Sequence, residues 1–169
     1  MMRGREMDGF RRVHRKPKAG GLFEEFAEFI GLLNRHKVRY LLVGGYAKVF
    51  YTEPEYTKDI DFWVEATPEN AAKVYRVLAG FGAPLKDHDV KPDDFVRENT
   101  IYAFGYPPRR IDVMTISHPF DAAWKRRKIV CICGQRINVV SLVDLIALKE
   151  KFGREKDKRD IKKLREWMK

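Results

Sequence analysis

The chain has 169 residues, 44% of them hydrophobic and 12% aromatic, with a net charge of +10 at neutral pH. That composition excludes a disordered chain and supplies a real core for one domain. No apolar run reaches the roughly 18 residues of a membrane span, and the basic start lacks the apolar stretch of a secretory signal, so a cytoplasmic protein is expected.

The charge is uneven. Residues 1–21 carry seven Lys/Arg against two acids and residues 146–169 carry ten against five, so the stretch between them is neutral. Two basic ends around a neutral body point to a polyanionic partner, a nucleoside triphosphate or RNA. Residues 1–21 have no apolar periodicity and end in Ala-Gly-Gly, which predicts a flexible basic arm ahead of a domain over 22–169.

Leu22, Phe23, Phe26, Phe29, Ile30 and Leu33 recur at helical spacing and predict an amphipathic helix to about His36. A short apolar strand, Tyr40 to Val43, stops at Gly44-Gly45. A short helix through Ala47 and Phe50 follows, closed by Thr52-Glu53-Pro54. From Asp59 to Glu65 charged and apolar residues alternate at first, as on a strand with one wet face. Thr67-Pro68-Glu69 opens a helix that runs to Gly80 or Gly82.

Residues 83–99 are polar and irregular. Ile101–Phe104 and Arg110–Ile116 read as strands, and Ile129–Cys133 and Arg136–Val140 as a hairpin turning at Gly134-Gln135. Ser141 caps a last helix from Leu142, interrupted near Gly153. The pattern gives an α/β (α+β) domain, a mixed sheet with helices packed on it.

Asp59 and Asp61 stand two apart on one strand and share a face. Carboxylates that close stay ionised cheaply only with a cation between them, and Mg²⁺ suits an all-oxygen set that also receives phosphate. Separated from Asp59 by thirteen residues, the pair Gly44 and Gly45 joins a strand to a helix, where backbone N–H groups can approach a phosphate closely. Asp112 sits between apolar Ile111 and Val113 and so lies on the opposite face from them. A shared metal would be its partner.

Val43-Gly44-Gly45 followed by Asp59-Ile60-Asp61-Phe62, with a later strand carboxylate at Asp112, resembles the signature of the DNA polymerase β-like nucleotidyltransferases. The stretch 41–64 resembles the small uncharacterised and toxin–antitoxin-associated members. Residues 144–149 and 154–161 are similar to the helix pair of the AbiEii-type toxins. The resemblance implies the nucleotidyltransferase fold and transfer of a nucleotide monophosphate from an NTP such as ATP to an acceptor hydroxyl. Two Mg²⁺ ions would be held by Asp59, Asp61 and Asp112, with Asp112 also a candidate base.

Gly44 and Gly45 would cradle the phosphates through backbone alone, since many relatives place Ser where Gly45 stands. Lys149 is the expected triphosphate-neutralising cation, with Lys58 beside the pair as a second contact. An RNA or tRNA acceptor is slightly favoured by the basic ends; a small molecule of the antibiotic type, or a non-catalytic toxin–antitoxin partner module, are the rivals.

The remaining chemistry-bearing residues read as structural. Asp157 and Asp160 share a helix face and are expected to pair with Lys156 or Arg159. Trp63, Phe81 and Trp124 read as core. The four histidines are scattered, and Cys131 and Cys133 are ordinary strand thiols sharing one face.

Overall fold

The computed structural model describes residues 22–168. The predicted arm over 1–21 lies outside the described residues. Six strands form one mixed sheet in the order β3-β4-β2-β1-β6-β5. They are β1 (Tyr40–Val43), β2 (Asp59–Val64), β3 (Ile101–Phe104), β4 (Arg110–Met114), β5 (Lys128–Ile132) and β6 (Gln135–Val139). The helices are α1 (Glu24–Arg35), α2 (Gly44–Tyr51), α3 (Pro68–Phe81), α4 (Phe120–Arg126), α5 (Leu142–Phe152) and α6 (Glu155–Glu166). No helix among the described residues is long and apolar enough to cross a membrane.

Strand alternation sorts the sheet into two faces. Phe62 of β2 and Phe104 of β3 both meet Phe29 of α1, and Phe81 at the end of α3 closes on Phe104. Phe29, Phe62 and Phe104 are at most 2% exposed, and burying each such ring stabilises the fold by about 1.5–3 kcal/mol. That face is thick with aromatic side chains. The other face carries Asp59, Asp61 and Trp63 of β2, and Trp63 packs on His118 and on Phe120 of α4. Helix α2 packs on β1 and β2 and against α5 and α6, which pack on each other.

Local signals explain the element ends. The Thr67 hydroxyl accepts from the Asn70 N–H to cap α3, which stops at Gly82 with φ 93°. Ser141 caps α5 in the same way, accepting from the Asp144 N–H. Gly153, φ 63°, ends α5 and lets α6 turn back. A left-handed residue at a helix end is far less costly for glycine.

Three details differ from the sequence reading. Helix α4 was not anticipated: its seven residues are too few for helical periodicity to show, and only Ala123 is fully buried. The β4 strand ends at Met114, two residues early, because only half of the next pair forms: the Thr115 N–H bonds the Thr100 carbonyl, but the Thr100 N–H goes to the Thr115 hydroxyl, which donates to the Arg97 carbonyl. The last hairpin turns at Cys133-Gly134, one residue before the expected place, with Ile132 facing Gln135. Both turn residues take positive φ, 51° and 74°, as two-residue hairpins of this hand require. Cys131 therefore lies on the strand and Cys133 in the turn, and both are exposed.

Candidate active site

Three backbone relationships build the site. On β2, Asp59 and Asp61 share a face by alternation. Strand β4 runs parallel to β2 with Asp59 opposite Arg110 and Asp61 opposite Asp112. On the other side β1 is antiparallel, with Val43 opposite Asp61, so α2 starts at Gly44 beside the carboxylates.

Asp59, Asp61 and Asp112 consequently each offer an oxygen atom within 4.8 Å of the other two. They line a cavity of about 280 Å³ together with Gly44, Gly45 and Arg110, a size at the low end for small-ligand pockets. Burial pushes the Asp61 carboxyl up to about 7, and the neighbouring charges of Asp59 and Asp112 add to the effect. Burial raises Asp112 as well, against the opposing influence of Arg110.

Gly44 has φ +68°, and a Cβ built on it would lie 2.1 Å from Asp61 Oδ2. Only glycine permits this approach. Gly44→Ala is expected to cost about 1–3 kcal/mol from the forced backbone alone, to move the Asp61 carboxylate, and to remove any activity that needs it. Urea unfolding beside a transfer assay checks this; an alanine variant with wild-type stability and activity would refute the constraint. At Gly45 a Cβ would come 2.9 Å from the Thr57 methyl. A serine there would require Thr57 to shift, so the glycine of this chain is matched to its neighbour.

Lys149 lines the cavity, yet it is buried and its ammonium donates to Asp160 at 2.8 Å, with Asp157 at 3.7 Å. Lys58 is exposed and is not part of the cavity wall. The expectation that Asp157 and Asp160 pair with Lys156 or Arg159 is corrected. Both acids are buried: Asp157 pairs with Arg154 and Asp160 with Lys48 and Lys149. Helix α6 folds back on α5 and turns these acids inward, which a helical-face argument alone does not reveal. Trp63 is core, while Trp124 is half-buried with the Arg127 guanidinium 3.8 Å over its ring.

Two residues escaped the sequence reading. Lys156 is exposed on the cavity wall. Arg110 donates from Nε to Asp112 Oδ1 at 2.8 Å and from Nη2 to Asp112 Oδ2 at 2.9 Å and Asp59 Oδ2 at 2.6 Å. The signal was present, because Arg110 stands two before Asp112 and must share its face.

No protein-family model and no curated protein matches the sequence. Solved structures do match the fold. A candidate nucleotidyltransferase from Thermotoga maritima aligns with TM-score 0.57 at 16% identity, over 89% of this chain and 97% of its own. The lincosamide antibiotic adenylyltransferase LnuA, solved with lincomycin bound, aligns with TM-score 0.51 at 16% identity, over 86% and 97%. An antigenic nucleotidyltransferase-like protein from Paracoccidioides brasiliensis gives TM-score 0.50 at 17% identity, over 83% and 74%. With the mixed sheet and its flanking helices, these likenesses establish that the chain has the nucleotidyltransferase fold.

Proposed function

We propose that the chain is a metal-dependent nucleotidyltransferase that moves a nucleoside monophosphate from an NTP to an acceptor hydroxyl. One observation carries this reading: Asp59, Asp61 and Asp112 meet beside Gly44-Gly45 on the wall of a single cavity. The residues fit a hard divalent cation. All three donors are carboxylate oxygens, and Asp61, raised to about 7 despite the opposing charges of Arg110 and Lys156, would ionise fully beside one.

Asp59 and Asp61 would hold two Mg²⁺ ions, with Asp112 as the third ligand. Bound there, the ions would supply the charge that activates the hydroxyl and steadies the leaving pyrophosphate. Asp112, buried in the cavity wall, is the carboxylate we assign to receive the hydroxyl proton. The backbone at Gly44 and Gly45 would approach the phosphates at the start of α2. Lys156 is the first cation we assign to them, because Lys149 is already neutralised by Asp160 and Lys58 does not line the cavity.

One part of the cavity wall favours a small acceptor. Ile101, Met114 and Phe152 line it, with Ile101 64% and Phe152 43% exposed. Exposed apolar side chains grouped at a cavity fit a hydroxylated small molecule with an apolar flank better than a phosphate backbone. A fold neighbour that adenylylates lincosamides is in keeping with this. The test is incubation with each labelled NTP and Mg²⁺, with total RNA and, separately, a panel of amphipathic alcohols and aminoglycoside- or lincosamide-type compounds. Label on a small molecule is expected; label on RNA would restore the nucleic-acid acceptor. No label anywhere would reject catalysis in favour of a partner module.

The basic ends have their own check. If the arm meets RNA phosphates, binding weakens with salt, and deleting residues 1–21 flattens the slope while thermal unfolding is unchanged. An unaltered slope would assign the arm no part in binding. The exposed charges of α6 offer less than their number suggests, since Lys158, Lys163 and Arg165 pair with Glu155, Glu55 and Glu150.

A further inference from the structure

We infer that Arg110 is a built-in counter-ion that occupies the carboxylate centre before metal arrives and must be displaced for metal to bind. The inference rests on the metal-site reading above and concerns this chain's own residue. The Arg110 guanidinium forms a fork on Asp112 and shares one nitrogen with Asp59, through bonds of 2.6–2.9 Å. Its place is set by the backbone, because the β2–β4 register puts it opposite Asp59 and alternation puts it on the face of Asp112.

Arg110 engages both oxygens of Asp112 and one of the two oxygens of Asp59, two of the three carboxylates that would ligate a cation. A divalent ion and the guanidinium therefore compete for Asp59 and Asp112. Charge-assisted, bidentate bonds are among the stronger polar contacts a side chain can make. A single guanidinium offsets only one of three carboxylates, so the centre is held together without being saturated. Arg110 is 36% exposed and lines the cavity, so it can leave its partners without unpacking the core. Once released it lies in the compartment where a triphosphate would bind, and its planar fork matches phosphate oxygens. Metal binding by the free protein is thus weakened, and a nucleotide that gives Arg110 another anion favours metal entry.

The experiment uses Mn²⁺ alone as the probe, titrated into the full-length protein without nucleotide and followed by the electron paramagnetic resonance signal of free Mn²⁺. Arg110→Gln removes the guanidinium and should bind Mn²⁺ about tenfold more tightly than wild type, the loss of one charge-assisted fork. Any nearby cation repels Mn²⁺, so Lys156→Gln is the control. Lys156 lines the same cavity and acts on Asp61 through space, and its loss should change Mn²⁺ affinity at most about twofold under salt screening.

With the metal at saturation, Arg110→Gln should bind a non-hydrolysable NTP analogue more weakly than wild type. Tighter metal and weaker nucleotide from one substitution is a pattern that a structural arginine would not produce. Equal Mn²⁺ affinity in wild type and Arg110→Gln, or equal gains in Arg110→Gln and Lys156→Gln, would overturn the counter-ion role and leave the carboxylate metal site standing. Absence of Mn²⁺ binding in every variant would reject the metal site itself, and the counter-ion role with it.

Discussion

Asp61→Asn is expected to lower nucleotide transfer by at least about 10²–10³-fold while the metal-free protein above pH 7 becomes more stable. The amide keeps the volume of the carboxylate and removes its charge, so a metal loses a ligand in an otherwise intact site. The stability change has a definite sign. The Asp61 carboxyl is pushed up to about 7 by burial first and by Asp59 and Asp112 second, whereas in the unfolded chain it titrates near 4. Between those values the folded protein holds a proton that the unfolded chain has released.

Metal-free wild type should therefore be fully stabilised by this group below about pH 4, lose stability as pH rises towards 7, and level off beyond it. The loss is at most about 4 kcal/mol, three pH units at 1.36 kcal/mol each. Asp61→Asn should flatten that segment of the profile. Mg²⁺ should stabilise wild type and leave the variant almost unchanged. Thermal unfolding from pH 4 to 8, with and without Mg²⁺, checks each part. A variant much less stable than wild type at pH 8 would make Asp61 a structural acid, and wild-type transfer activity would end its catalytic assignment.

Asp160→Asn is expected to cost about 3–5 kcal/mol, the penalty for stranding a buried charge. Asp160 accepts from Lys48 Nζ at 2.9 Å and from Lys149 Nζ at 2.8 Å, and all three side chains are at most 6% exposed. The contact ties α2, α5 and α6 into one unit behind the cavity. Removing the acid leaves two buried ammonium groups with too little compensation. Lys48 retains Glu55, which keeps the expected loss nearer the lower figure. Urea unfolding supplies the measurement, with Lys163→Gln on the exposed face of α6 as a comparison expected to stay within about 1 kcal/mol. A similar small loss for Asp160→Asn would mean that water reaches the network and screens it.

These two aspartates mark the boundary between local pattern and tertiary consequence. Residues i and i+2 on a strand share a face whatever surrounds them, so Asp59 with Asp61 could be paired from the sequence, as could the glycine pair closing a strand. The ends of α3 and α5 were equally legible, because Thr67, Ser141, Gly82 and Gly153 satisfy or terminate backbone hydrogen bonds within a few residues. Asp112 could be proposed as a partner for Asp61 from its place between apolar neighbours and from the family resemblance, but neither fixes the distance between them. Their adjacency comes from the parallel pairing of β2 with β4, which depends on what packs over the intervening α3 and β3.

The same limit hid the cations. Lys149 read as a free ammonium until α6 folded back and set Asp160 against it. Arg110 read as a strand-end residue until the β2–β4 register set it among three acids. By itself the sequence determined most of the elements, though not α4, together with the shared face of Asp59 and Asp61 and the glycine pair, since these follow from backbone periodicity and conformational freedom over a few residues. Only the tertiary structure decided which charges meet and which are already spent, because Coulombic pairing acts over a few ångströms of space between residues as far apart as Asp59 and Arg110, 51 positions along the chain.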